Sequence, residues 1–456
     1  MNEAGKKLSL FALTWPIFVE MLLGMLMGNI DTFMLSHYSD QAVAAVGVAN
    51  QIIFFVNLMF NVVSAGTSIL IAQYIGARRE QSASEVAAVA IVLNLLFGLA
   101  ISLLLYAGGP VLFRFMNLPV EVLPDASTFL QITGGFAFIE AVRLTMATIL
   151  RSYGMTRITM YVALGMNVIN LVGNYFVLYG SFPPPFSGVS GVALSTLTAR
   201  IAGLVLLTLL LIMKTGFSWH WNMVSPRSIR AYAGGLFKIG IPTAGESFFS
   251  TMAQLCITSF IALLGTQALS AKIYAQNIGM FNNLFTLSLA LATEIVIGRL
   301  IGAKLFDEAF QKGRRYVRMA ALISAGSALL IALGSSFLIG LFTDDQLIIR
   351  QGMYLLWLSV LLESGRAGNL IMVNALRAAG DVKTPVYISV SSVWLVSVFL
   401  SYVLGVLVGW GMVGVYLAFI ADEWLKTWLL RRRWKSRRWE SMELIGSGHT
   451  VSGSPF

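Results

Sequence analysis

The chain has 456 residues, 57% of them hydrophobic and only 11% charged; a soluble domain carries roughly a quarter charged residues, so most of this chain cannot face water. The net charge of +10 would point to nucleic acid in a soluble protein, but here it has a topological explanation that leaves no nucleic-acid partner. A single cysteine, Cys256, excludes an internal disulfide or a multi-thiolate metal site, and His37, His220 and His449 lack metal-ligand spacing.

Apolar runs of about 20 residues, each able to cross a bilayer as a helix, recur from end to end. They predict an all-α membrane protein of twelve spans: 9–36, 43–73, 83–107, 123–150, 157–180, 188–213, 236–264, 268–300, 315–342, 348–377, 384–408 and 411–431. No cleavable signal peptide is expected, because the run beginning near Leu8 lacks a small-residue cleavage site.

Lysines and arginines cluster before span 1, after spans 2 and 4, between spans 6 and 7, between spans 8 and 9, after span 10 and after span 12. With twelve spans all these clusters fall on one side. The opposite segments Ser36–Gln41, Gly180–Gly188 and Thr343–Gln346 have none; Arg114, Lys272 and Arg350 are isolated exceptions. This pattern predicts a multi-pass plasma-membrane protein with both termini in the cytoplasm.

The two halves repeat at an offset of 226, which pairs Pro16 with Pro242, Glu20 with Glu246, Gln41-Ala42 with Gln267-Ala268, Ile75-Gly76-Ala77 with Ile301-Gly302-Ala303, Leu150-Arg151 with Leu376-Arg377 and Gly154 with Gly380. Six spans per half make the repeat parallel, with sites expected between or within the bundles near mid-membrane. The expected division is an N-terminal bundle over 1–213, a polar linker over 214–235, a C-terminal bundle over 236–438 and a disordered cytoplasmic tail over 439–456.

A charge in hydrocarbon costs roughly 3 kcal/mol or more, so charged residues inside spans call for a reason. Span 1 holds Glu20 and Asp31, eleven residues and about 16 Å apart on one helical face. Asp31 is the candidate proton carrier; a structural hydrogen-bonding aspartate is the alternative. Span 5 places Asn167, Asn170 and Asn174 on one stripe, either a polar cavity with Asp31 or interhelical hydrogen bonding alone. Met27 and Met34 share span 1 with Asp31; flexible thioethers suit a pocket for lipophilic cations, and ordinary packing is the alternative. Glu140 with Arg143, and Glu363 with Arg366, form i,i+3 pairs that suit a structural or gating role better than substrate contact. Arg200 needs a partner on another helix. Glu246 has only Lys238 nearby in sequence and is the leading carboxylate of the second half.

The chain resembles the multidrug and toxic compound extrusion (MATE) family over nearly its whole length short of the tail. The residues that carry the resemblance are Pro16 with Glu20, Asp31-Thr32, the run Gln41–Gly47, Gln73-Tyr74-Ile75-Gly76-Ala77 and Leu150–Gly154. Within the family it is most similar to the bacterial DNA-damage-inducible F branch. The resemblance implies two six-helix bundles in a V and cation-coupled antiport of drugs and dyes, with Asp31 as the protonation site. Relatives have an aspartate assisting from the fifth helix, where this chain has Asn174. Sodium-coupled relatives use a helix-7 glutamate, matching Glu246, and a helix-10 aspartate; span 10 offers Asn369 and Asn374 instead, which favours H+ over Na+.

The expected function is proton-coupled export of small cationic or amphipathic molecules by alternating access, by a monomer that needs no cofactor. Sodium coupling through Glu246, or flipping of lipid-linked precursors as in other members of the superfamily, are the alternatives. An intramembrane enzyme would need a Ser/His, paired-Asp or metal constellation within the spans, and none is legible.

Overall fold

The structure, a computed structural model, describes residues 9–180, 186–215, 217, 221–442 and 444–445. Among these residues the regular structure is helical, with no strand. Hydrocarbon offers no partners to the backbone, and a helix satisfies its own N–H and C=O groups.

The elements follow the predicted spans. They are α1 (Leu10–Ser36), α2 (Asp40–Gly76), α3 (Glu80–Phe115), α4 (Leu123–Gly135), α5 (Ala137–Ser152), α6 (Thr156–Tyr179), α7 (Gly188–Thr215), α8 (Pro226–Ala262), α9 (Thr266–Gly302), α10 (Phe306–Leu333), α11 (Ser335–Gly340), α12 (Gln346–Ala378), α13 (Lys383–Ser392), α14 (Phe399–Tyr402) and α15 (Gly411–Lys435). Among the described residues nine spans are apolar enough to cross a membrane on composition alone, and α4 with α5, bent by 46° at their junction, form a tenth. Helices α8 and α15 complete the twelve. They are less apolar because α8 carries Lys238 and Glu246, and α15 carries Asp422, Glu423 and Lys426. The predicted eleventh span is interrupted by π-helical turns at Val393–Val398 and Val403–Leu407, on either side of α14.

The repeat is visible in the backbone. Arg78 and Lys304, one repeat apart, both take a left-handed conformation (φ 56° and 58°), as do Gly154 and Gly380 (φ 81° and 97°). These residues close matching turns after α2 and α9, and after α5 and α12. Pro16 and Pro242 lie inside α1 and α8 at matching places.

The helices form two compact units. One combines the residues up to Ile71 with Ser84–Ala244; the other combines Ala72–Ala83 with the residues from Gly245 onward. The core of the first unit is built on Ala42, Ala45 and Ala49 of α2, packed with Val189, Val192 and Ala193 of α7; small side chains let helices approach closely without a hydrophobic drive. The second has Ile257, Ala271, Leu355 and Val415 at its centre.

Three expected boundaries move. The second half of the predicted linker 214–235 is helical: Ser225 Oγ accepts the Ser228 N–H at 3.2 Å and Pro226 opens α8, a cap followed by an N1 proline. That first stretch of α8 belongs to the first unit, where the Tyr232 hydroxyl donates to Glu85 at 2.7 Å. The last turn of α2 belongs to the second unit, because Gln73 Nε2 donates to the Ala378 carbonyl at 2.7 Å. The tail expected to be disordered from 439 begins with an ordered 3-10 turn, Arg438–Ser441. Trp439 is buried there, stacked on Trp434 with centroids 4.4 Å apart. The remainder of that tail, residues 443 and 446–456, lies outside the described residues, as do His220 and His449. His37 is exposed just after α1, its ring against the Phe33 carbonyl.

Candidate functional site

Asp31 lies in the later part of α1, where α6 packs beside it, and is 5% exposed. Asn174 Nδ2 of α6 donates to Asp31 Oδ1, and Thr196 Oγ1 of α7 lies 3.4 Å from Oδ2. Asn170 Nδ2 donates to Thr196 Oγ1 at 3.2 Å, and the Ser195 hydroxyl donates to the Asn170 carbonyl at 3.0 Å. Two amides of the predicted stripe therefore join Asp31. The third does not: Asn167 Nδ2 donates to the Ala163 carbonyl of its own helix at 2.9 Å. Asp31 makes no ion pair with any described residue, and Asn174 Oδ1 is buried without a hydrogen-bond donor. Met34 is buried in the first unit and Met27 is half-buried.

Two other carboxylates within the spans of this unit, Glu20 and Glu140, are neutralised. Glu20 accepts from Arg151 at 3.1 Å and from the Thr159 hydroxyl at 2.6 Å. Glu140 takes a two-pronged bond from Arg143, at 2.5 and 2.8 Å, and Arg200 Nε lies 3.6 Å away. Arg200 thus finds its partner across helices.

In the second unit Glu246, expected to stand without a partner, accepts from Arg377 at 2.5 Å. Glu20–Arg151 and Glu246–Arg377 are the same pair in the two repeats, each spanning 131 residues. Glu363 accepts from Arg366 at 2.5 Å and from Asn282 at 3.3 Å. With Gln276, Tyr416 and Phe419 these residues border a cavity of about 260 Å³. Asn369, the helix-10 amide at issue for sodium, donates to Glu423 at 2.8 Å, and Asn374 donates to the Leu370 carbonyl of its own helix at 2.8 Å.

Sequence reasoning missed a buried network on α15. Lys426 Nζ lies 2.7 Å from Asp422 and 3.8 Å from Glu423, and the Ser392 hydroxyl donates to Asp422 at 2.5 Å. The i,i+4 spacing of Asp422 and Lys426 inside an apolar run was the available signal. Lys272, an isolated exception to the one-sided cation pattern, is 4% exposed and donates to the Thr258 hydroxyl at 2.7 Å.

Duplicated membrane helices with charged networks buried in each unit describe a multi-pass membrane transporter. The MatE family profile matches residues 16–176 and again 242–403, starting one repeat apart. The chain therefore belongs to the MATE family of multidrug efflux transporters. It is 43% identical over 438 residues to the "Uncharacterized transporter YisQ" of Bacillus subtilis, covering 96% of both chains. It is 25% identical over 438 residues to the "Probable multidrug resistance protein NorM" of Thermotoga maritima, covering 96% of this chain and 94% of that one. Among solved structures it resembles a MATE transporter in the bent conformation, with a TM-score of 0.86 at 20% identity over 94% of this chain and 95% of the other. An outward-facing MATE family transporter gives 0.84, also at 20% identity, over 94% and 95%.

Proposed function

We propose that this protein exports small cationic or amphipathic molecules in exchange for protons, with Asp31 as the group that binds and releases the proton. The observation that carries the reading is the pairing of Asp31 with Asn174. Asp31 is 5% exposed, accepts from Asn174, lies 3.4 Å from the Thr196 hydroxyl and makes no ion pair with any described residue. It can therefore gain or lose a proton without stranding a buried arginine, which would cost about 3–5 kcal/mol.

The orphan oxygen of Asn174 supports the same reading. Ionised Asp31 can accept from Asn174 Nδ2 but offers no hydrogen to Asn174 Oδ1. Protonated Asp31 can accept from the amide N–H and donate its own O–H to the amide oxygen, the paired arrangement of a carboxylic acid with a primary amide. Thr196, whose single hydroxyl proton lies between Asp31 at 3.4 Å and the Val192 carbonyl at 3.0 Å, can then turn fully to Val192. Binding a proton thus rewires contacts among α1, α6 and α7. In the proposed cycle an outward-open protein takes up a proton at Asp31 and releases its cargo outside. It then opens inward and exchanges the proton for new cargo.

The name of a relative, "multidrug resistance" protein, supports the cargo class, as do the half-buried Met27 and the exposed aromatic side chains of the spans. The cation clusters support placement in the plasma membrane with both termini cytoplasmic, and the working unit of this reading is a monomer. Glu246 is a weaker coupling group because Arg377 already occupies it. The test is Asp31→Asn in proteoliposomes: proton-driven efflux of a fluorescent cation should vanish while the variant still folds. Undiminished proton-driven efflux by the variant would remove the assignment.

A further inference from the structure

The membrane assignment makes a second feature of the C-terminal unit informative. At the end where α10 begins and α15 finishes, six cations stand in two stripes of identical spacing. On α10 the stripe reads Gln311, Arg314, Arg315, Arg318, Met319, Leu322 and borders a groove of about 510 Å³. On α15 it reads Trp424, Thr427, Trp428, Arg431, Arg432, Lys435 and borders one of about 400 Å³. Both follow i, i+3, i+4, i+7, i+8, i+11, a single face of a helix about 16 Å long. The helices run in opposite directions, so each stripe puts three cations at the same end of the unit and its apolar or aromatic residues deeper. That the ends coincide is shown by Trp434 Nε1 donating to the Phe310 carbonyl at 3.2 Å and by the Arg437–Asp307 ion pair at 2.5 Å.

These six cations differ from their neighbours. Lys312 pairs with Glu308 at 2.8 Å, Arg433 with Asp381 at 2.6 Å, and Arg437 with Asp307 and Glu440. Arg314, Arg315, Arg318, Arg431, Arg432 and Lys435 are exposed and make no ion pair with any described residue. Helix-end electrostatics accounts for at most one stripe: cations favour a helix C-terminus, as on α15, and gain nothing at the N-terminal end of α10. The deeper half of each stripe faces outward as apolar surface, with Leu322 74%, Trp424 43% and Trp428 57% exposed. The Arg432 guanidinium sits 5.8 Å from the Trp428 ring centre, joining the cationic and aromatic halves of one stripe.

The geometry points to two binding grooves for anionic phospholipid. The three cations of each take the phosphate headgroup, and the apolar half takes the first acyl methylenes. Charge complementarity selects this occupant: a zwitterionic headgroup returns a cation to the site, and a soluble anion leaves the deeper half uncovered. The grooves lie in the cytoplasmic leaflet if the orientation proposed above holds; lipid selection itself does not depend on that orientation or on Asp31.

The full-length protein in phosphatidylcholine nanodiscs provides the test, doped with brominated phosphatidylglycerol or brominated phosphatidylcholine. Bromine quenches tryptophan on contact, and Trp424 and Trp428 line the α15 groove. Three cations face the headgroup in the α15 stripe, so half-maximal quenching is expected at a fraction of the glycerol lipid at least about tenfold lower than that of the choline lipid. Arg431→Gln, Arg432→Gln and Lys435→Gln together should erase that preference, and Trp428→Phe should remove most of the glycerol-specific signal. Native mass spectrometry should find one fewer retained glycerol lipid in the Arg314→Gln, Arg315→Gln, Arg318→Gln variant. High salt should weaken the preference in the unmodified protein, a result that needs no variant to fold. Equal quenching by the two lipids, or a preference that survives both triple substitutions, would overturn the proposal.

Discussion

Removing Arg377 should destabilise the protein more than removing its repeat counterpart Arg151. Both hold a buried carboxylate: Glu20 is 12% and Glu246 16% exposed at the side chain. Glu20 keeps a second donor when Arg151 is lost, the Thr159 hydroxyl at 2.6 Å. One repeat later the position of Thr159 is Pro385, which has neither a hydroxyl nor an N–H. Lys426, which feels the charge of Glu246, is already engaged by Asp422 at 2.7 Å and Glu423 at 3.8 Å. Arg377→Ala therefore strands Glu246. A stranded buried charge costs about 3–5 kcal/mol, and residual exposure places this one near the lower end. A retained charge-assisted hydrogen bond is worth about 1.5–3 kcal/mol, so Arg151→Ala should cost only about 1–2 kcal/mol. For a cooperative unit of about 220 residues the difference of about 1–2 kcal/mol corresponds to a midpoint roughly 2–8 °C lower for Arg377→Ala. Thermal unfolding of the detergent-purified variants, followed by intrinsic fluorescence, measures it. Adding Glu246→Ala to Arg377→Ala should restore part of the loss, because the uncompensated charge is then gone. Equal drops for the two arginines, or no recovery in the double variant, would refute the reasoning.

Other substitutions bear on packing and on the site. Gly302→Ala would put a Cβ 1.9 Å from the Gln73 carbonyl oxygen and should lower the thermal midpoint by the equivalent of about 1–3 kcal/mol. Gly326→Ala, with nothing within 4 Å of its Cβ, should leave stability unchanged or raise it by up to about 1 kcal/mol, measured in the same way. Trp434→Ala removes a side chain that is 1% exposed and stacked on Trp439; it should cost about 3–5 kcal/mol and loosen the Arg438–Ser441 turn, visible as faster tryptic cleavage after Arg438. Asn174→Leu takes away the amide partner of Asp31 and should slow proton-driven efflux in vesicles by at least about tenfold, while Asn167→Leu, bonded within its own helix, should change it little.

The repeat and the Asp31 cluster were legible because both rest on local patterns: an ungapped offset in one case, polar residues at helical spacing in an apolar run in the other. The Glu246–Arg377 pair was also within reach. Both residues recur one repeat after Glu20 and Arg151, but pairing them requires contact between helices far apart in sequence. Asn167 shares the stripe of Asn170 and Asn174, yet spacing alone does not say where the neighbouring helix ends its contact, and Asn167 turns back on its own backbone. Asp422 and Lys426 went unread because they sit close to the cationic run from Arg431 onward, which marks the end of a span. Ser225-Pro226 signals a helix start inside a segment whose polarity otherwise suggests a linker, and Trp439 signals burial in a tail otherwise rich in serine and glycine.

The central claim, that a proton on Asp31 drives export, is tested most directly by the driving ion. Proteoliposomes holding the purified protein and a fluorescent cationic dye are given either a pH gradient or a sodium gradient of equal size. The account predicts dye movement under the pH gradient, its loss in Asp31→Asn, and no movement above background under sodium alone. Sodium-driven movement that is indifferent to pH and survives Asp31→Asn would contradict it.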